Sequence, residues 1–123
     1  MIEISQDLLD TLAIARYEAV AARLAGGAVV GYPAPRPPAG APPSGPAIAR
    51  IPFAPGVGTA GLLGLTLTAP IEGQCAASGD IAWLRIESGF GVWLMDCDAA
   101  DMHLDRTAVR AGAFVRLMSG VIR

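Results

Sequence analysis

The spacing of hydrophobic positions changes once along the chain, from a helical period to a strand period. Within residues 6–25, hydrophobic side chains recur three or four positions apart, as on one face of a helix. The residues of this stripe are Leu8, Leu12, Ala15 and Ala19, and it is widened by Leu9, Val20 and Leu24. Ser5 precedes it as a candidate N-cap, and Gly26 and Gly27 follow it as a stop signal. The pattern predicts one amphipathic helix over residues 6–25.

From residue 28 onward, hydrophobic and polar residues alternate with a period of two, which is typical of half-buried strands. The predicted strands are 28–32, 47–53, 62–68, 81–88, 90–96, 101–105 and 114–122. The fourth of these ends at Ser88 and only Gly89 separates it from the fifth, a very short connection that predicts a hairpin. One helix followed by short, evenly spaced strands predicts a single all-β domain over 1–123, a β-sandwich or jelly roll with an N-terminal amphipathic helix and its β core in 47–123.

The segment 33–46 interrupts this pattern with seven of the ten prolines. Apart from proline, it holds no apolar residue larger than alanine, so it cannot form a core of its own. We expect a surface loop or an extended arm, partly in polyproline II conformation. The spacing of Pro35, Pro38 and Pro42 also leaves open a role as a proline-rich ligand.

The composition of the chain indicates that the protein binds a partner. Hydrophobic residues make up 53% of the chain and charged residues only 16%, so part of the apolar surface is expected to be covered by another molecule. The net charge is −2, and the nine basic residues are all arginines that are scattered along the chain. We therefore expect no nucleic-acid partner. No apolar run approaches the roughly 20 residues that span a membrane, so no membrane partner is expected either.

Residues 56–61 read Gly-Val-Gly-Thr-Ala-Gly, which matches the glycine pattern of dinucleotide-binding turns. That chemistry needs a helix directly after the glycines, because the helix N-terminus holds the pyrophosphate. The following residues 62–68 instead alternate as a strand does, and Pro70 stops any helix. We interpret the glycines as a flexible connection between two strands and expect no nucleotide cofactor.

Four aspartates follow the predicted hairpin and form the best candidate for a metal site. They are Asp96, Asp98, Asp101 and Asp105. The spacing does not fit a helix–loop–helix calcium loop, because Ala100, Asp101 and Thr107 occupy positions that need other residues. A non-standard site stays open beside the simpler interpretation of a polar turn.

Catalytic chemistry has few candidates in this chain. His103 is the single histidine and shares a strand face with Asp101 and Asp105, but no serine lies in a nucleophile-elbow sequence. Cys75 and Cys97 lack zinc-ligand spacing, and a disulfide between them is left open. We assign no catalytic, cofactor-binding or metal residue, and a small enzyme is the least favoured function.

The order of these segments resembles small virion proteins of tailed bacteriophages from GC-rich hosts. The resemblance lies in the helix ending in glycines, the variable Ala/Pro/Gly loop, the strand "GLLGLTLTAP", and above all "DMHLDRTAVRAGAFVRLMSGVI" at residues 101–122. It implies a capsid decoration (cement) protein on the virion surface that is made in the host cytoplasm. A head–tail connector or tail component is the alternative that the same resemblance allows.

The same resemblance implies two partners, the major capsid protein and further copies of the chain, which we expect to form a homotrimer. The helix and the proline-rich segment are the elements expected to reach them. The expected interface residues are Leu8, Leu12, Tyr17, Tyr32, Pro35, Arg36, Pro38 and Trp93.

Overall fold

One helix and twelve antiparallel strands make up the fold in the computed structural model, which describes all residues 1–123. Helix α1 spans Gln6–Leu24 and is capped by the Ser5 side chain, which accepts the N–H of Leu8 at 3.1 Å. The strands are β1 Ala28–Tyr32, β2 Ala49–Pro52, β3 Gly58–Ala60, β4 Leu65–Leu67, β5 Ile71–Gln74, β6 Gly79–Asp80, β7 Trp83–Glu87, β8 Trp93–Asp98, β9 His103–Leu104, β10 Ala108–Val109, β11 Phe114–Ser119 and β12 Val121–Ile122. A short 3₁₀ helix, Ala99–Asp101, joins β8 to β9.

The strands form four sheets, of which the largest has the order β2-β1-β7-β8. Two three-stranded sheets have the orders β5-β11-β9 and β12-β4-β3, and β10 pairs with β6. Sequence neighbours β1 and β2, β3 and β4, and β7 and β8 are paired, as short connections favour. This architecture confirms the predicted all-β fold with an N-terminal helix.

A single core of 21 buried residues joins the helix to the sheets. The alternation predicted for β7 is confirmed, because Leu84 and Ile86 point into this core. Strands β4 and β11 add their own alternating residues, among them Leu65 and Val115. The large sheet therefore has one face on the core, and its other face carries Trp83.

The helix packs on the core through only part of its predicted hydrophobic stripe, the part that includes Val20 and Leu24. Its core residues are Tyr17, Val20, Ala21 and Leu24. The rest of the predicted stripe, with Leu8, Leu12, Ala15 and Ala19, is exposed. Both sets have helical spacing, so periodicity alone could not decide which one the β domain covers.

Several strand boundaries differ from the predicted ones, and turn chemistry explains the clearest case. The predicted strand 90–96 begins only at Trp93, because the Ser88 hydroxyl accepts the N–H groups of Phe90 and Val92 and holds a longer turn. Gly120 divides the predicted strand 114–122 into β11 and β12. The short strands β3, β5, β6 and β10 were not predicted, since two to four residues are too few to show a period.

Candidate interaction surfaces

The outer face of the large sheet is built around one buried ion pair. Arg85 on β7 and Asp96 on β8 face each other across the two strands. Two parallel hydrogen bonds join them, from Nε to Oδ1 at 2.8 Å and from Nη2 to Oδ2 at 3.1 Å. The Arg85 side chain is 8% exposed and that of Asp96 is fully buried. The guanidinium also lies over the ring of Trp83, 5.1 Å from its centre.

The proline-rich segment 33–46 is held on this pair by its backbone. The N–H of Gly40 donates to Asp96 Oδ2 at 3.1 Å, and Arg85 Nη2 donates to the carbonyl oxygen of Ala41 at 2.7 Å. Trp83 Nε1 donates to the carbonyl oxygen of Pro33 at 3.0 Å. The segment therefore lies as a loop on its own sheet and does not extend from the molecule as an arm.

The ion pair stays charged because each partner favours the ionised form of the other. Burial would raise the pKa of Asp96, but the hydrogen bonds from Arg85 and from the Gly40 N–H outweigh it and lower that pKa below its usual value. The hydrogen bond to Asp96 is the main reason that the pKa of Arg85 is raised. The cluster thus supplies a permanent charged anchor for the loop.

Five of the eight expected interface residues lie on or near this loop. Tyr32 stacks on Trp83 with ring centres 4.7 Å apart. Arg36 binds Asp98 at 3.0 Å and also donates to the carbonyl oxygen of Asp96, so it holds the loop to the edge strand β8. The remaining three residues, Pro35, Pro38 and Trp93, are exposed to solvent.

The other three expected interface residues belong to α1, where one is buried and two are exposed. Tyr17 is buried in the core of its own chain and does not offer its side chain to a partner. Leu8 and Leu12 are 46% and 51% exposed. Together with Ala15 and Ala19 they form a continuous apolar surface, here called the outer helix face, on the side of α1 opposite Tyr17.

More apolar surface surrounds the outer helix face and the tip of the β7–β8 hairpin. Met1, Ile2 and Ile4 precede α1 and are exposed. At the hairpin tip, Phe90 is 95% exposed and Val92 lies beside it in sequence. Phe90 is not among the expected interface residues, although an aromatic residue between two glycines in a turn is a sequence signal for an exposed ring.

The four aspartates that suggested a metal site each have a partner within the chain. Asp96 binds Arg85, and Asp98 binds Arg36. Asp101 accepts the N–H of Asp98 at 2.8 Å and Asp105 accepts the N–H of Arg116 at 2.9 Å, which is the behaviour of turn residues. No group of three or more His, Cys, Asp and Glu side chains converges as metal ligands would.

The single histidine lies in an open groove of about 840 Å³ between β4, β9 and β12. His103 is paired across the strands with Ser119, and Asp101 also lines the groove. Asp101, however, directs its carboxylate to the Asp98 N–H. The three side chains share a surface without forming the hydrogen-bonded chain that activates a serine.

The cysteines and the glycine pattern take structural positions. Cys75 and Cys97 are both free thiols, and Cys75 is buried in the core. Burial raises the pKa of Cys97 to about 11. The glycines at 56–61 contain strand β3, which forms a hairpin with β4 where a nucleotide-binding turn has a helix.

Comparison with known proteins adds no family to these observations. The chain matches no family model, and neither the curated proteins nor the solved structures contain a match. No helix of the structure combines the length and the apolar character needed to cross a membrane.

Proposed function

We propose that this protein is a structural component of a tailed-bacteriophage virion, bound to the outside of the shell as a decoration (cement) protein. The observation that carries the proposal is the apolar surface that the domain exposes in two places, at the outer helix face and at the tip of the β7–β8 hairpin, where Phe90 is 95% exposed. Leu8 and Leu12 are about half exposed on a domain whose core is otherwise covered. Apolar surface of this kind marks an interaction site, because leaving it in water is unfavourable.

The sequence resemblance over residues 101–122 supplies the finer part of the proposal, which is the virion and the shell. A small β domain can bridge neighbouring capsomers, and each added contact resists the outward pressure of packaged DNA. The major capsid protein is the proposed partner. The proline-rich loop adds the exposed Pro35 and Pro38 and the ring of Trp93 to the surface that such a partner could contact.

The test is the distribution of the protein in purified virions. Particles are separated into filled heads and tails, and the copy number of the chain in each fraction is measured by quantitative mass spectrometry against the major capsid protein. The proposal predicts many copies in the head fraction. A dozen or fewer copies that follow the portal or tail would contradict it and favour the connector function, and absence from both fractions would contradict any virion function.

A further inference from the structure

We propose that the outer helix face binds a second copy of this chain, with the two α1 helices packed antiparallel about a two-fold axis. The proposal does not depend on the proposed function. It concerns which surface of the chain recognises itself, and the evidence is the order of large and small residues, the position of one groove, and the distribution of charge along α1.

The outer helix face is complementary to itself in one orientation only. Its large residues, Leu8 and Leu12, come first and its small residues, Ala15 and Ala19, come last. When a second helix runs antiparallel, Leu8 lies opposite Ala19 of the other copy and Leu12 lies opposite Ala15. Every contact then joins a large side chain to a small one, which allows close packing of the two helices. In a parallel pair, leucines would face leucines and alanines would leave gaps.

A groove beside Ala19 provides space for the leucines of the second copy. The groove has a volume of about 280 Å³ and lies between the C-terminal half of α1 and the edge strand β8. Its lining residues are Ala19, Val20, Arg23, Leu94 and Met95. In the antiparallel register, Leu8 and the exposed Leu9 of the second copy reach this groove. The two-fold axis repeats this contact at the other end of the helix pair, so the groove of each copy holds the leucines of the other.

The charges of α1 favour the same orientation. Asp7 lies in the first turn of α1 and Asp10 in the next, whereas the second half holds Arg16, Glu18 and Arg23 and has a net positive charge. Antiparallel helices bring the acidic beginning of each beside the basic end of the other, and their dipoles are also opposed.

The β domains do not obstruct this arrangement. Tyr17 and Leu24 attach α1 to its own domain from the side opposite the outer helix face. In the pair, the two helices therefore lie between the two domains. The exposed residues Ile2 and Ile4 lie just before each helix, beside the end of the partner helix, and extend the apolar contact.

The first experiment measures the mass of the native chain by sedimentation equilibrium over a range of micromolar concentrations. The proposal predicts a reversible dimer. Leu12→Gln is expected to raise its dissociation constant by roughly 100-fold, because the lost apolar contact occurs twice in a two-fold pair. Leu63→Gln is the matched control, since Leu63 is an exposed leucine outside α1, and it should leave the dimer unchanged.

The second experiment tests the register by exchanging the large and small residues. Leu8→Ala and Ala19→Leu should each weaken the dimer, the first by leaving a gap and the second by placing two leucines in one space. The double variant restores one large and one small residue at each contact and should recover most of the dimer. Both positions are exposed in the single chain, so circular dichroism should show that all variants stay folded.

Three results would overturn the proposal. They are a monomer at every concentration, a trimer that depends on Leu12, or a double variant that is weaker than either single variant. A monomer in solution would not contradict the proposed virion function, because that proposal concerns binding to the shell and is tested separately.

Discussion

Asp96 is the residue on which the outer face of the large sheet depends. Its two carboxylate oxygens accept from Arg85 and from the backbone of the proline-rich loop, and its side chain is fully buried. A buried pair of this kind adds little net stability over an apolar pair, but removing one partner leaves the other charge buried without compensation. The pair fixes where the loop lies.

Asp96→Asn should destabilise the protein by about 3–5 kcal/mol, because Arg85 then keeps its charge in a buried position without a carboxylate. The measurement is urea unfolding at neutral pH. Asp98→Asn is the matched control, since its pair with Arg36 is largely exposed and should cost less than about 1 kcal/mol. Equal losses for the two variants would show that Asp96 does not anchor the sheet.

Cys97 should react slowly with alkylating reagents near pH 8. Burial raises the pKa of its thiol to about 11, so the reactive thiolate is scarce in the folded protein until the pH approaches that value. The stability that the neutral thiol contributes is present below the thiol's usual pKa and is lost as the pH rises through about 11. Alkylation of Cys97 is followed by mass spectrometry between pH 7 and 11. If Cys97 reacts as fast in the folded protein as in the unfolded protein at pH 8, its thiol does not have the raised pKa.

At the scale of elements, the contact of β5 with β2 joins two of the sheets. Gly73 on β5 lies so close to β2 that a Cβ there would clash with the carbonyl oxygen of Arg50. Glycine is the residue that permits this approach. The bridge between Ala49 and Cys75 continues the same contact along the strands.

Gly73→Ala should therefore destabilise the fold by about 1–3 kcal/mol, because two backbone segments must separate to admit the methyl group. Gly56→Ala is the control: no atom lies within 4 Å of its Cβ position, and the stability should change little. Thermal unfolding followed by circular dichroism compares the two variants. If Gly73→Ala unfolds at the wild-type temperature, the sheets are not in contact at this point.

The proline-rich loop should stabilise the domain in which it lies. Replacing residues 36–44 by a short Gly-Ser linker is feasible, because β1 and β2 are paired and the loop ends lie close together. The replacement removes the bonds of Gly40 and Ala41 to the buried ion pair and should cost at least about 2 kcal/mol. Urea unfolding gives the loss, and tryptophan fluorescence should shift to the red as Trp83 is uncovered. The control replaces Leu62 and Leu63, which lie in an exposed turn, by serine. Unchanged stability of the loop variant would contradict the packing of the proline-rich loop on the large sheet.

The sequence predicted those elements whose pattern is both long and unambiguous. The helix, the hairpin of β7 with β8 and the inward faces of Leu84 and Ile86 follow from periodicity alone. The position of the loop did not follow, because it is held by backbone groups of Gly40 and Ala41, and any residue could supply such groups. The core-facing side of α1 did not follow either, since both of its faces are apolar.

The candidate surfaces were predictable to a similar extent. Leu8 and Leu12 were expected at an interface and are exposed, whereas Tyr17, also expected there, lies on the opposite side of α1 and is buried. Burial depends on the strands that pack against α1, and those contacts join residues far apart in the sequence. Arg36 and Trp93 were expected to contact a partner, but both also hold or touch the proline-rich loop of their own chain.

At the scale of the whole molecule, the chain is a β domain with apolar surface at the N-terminal helix and at the tip of the β7–β8 hairpin. The helix surface is complementary to itself, and the hairpin tip carries the almost fully exposed Phe90. A protein with two separate apolar surfaces can bind its own copies through one and another protein through the other. Such a division would suit the proposed decoration protein. The homotrimer expected from the three-fold positions of a shell stays a prediction beside the helix pair.

A cryo-EM map of the parent virion tests the central claim most directly. The account predicts density for this β domain repeated over the outer surface of the shell, in contact with the major capsid protein and with neighbouring copies of itself. Density confined to a single ring at the portal or in the tail, or a shell without this domain, would contradict it.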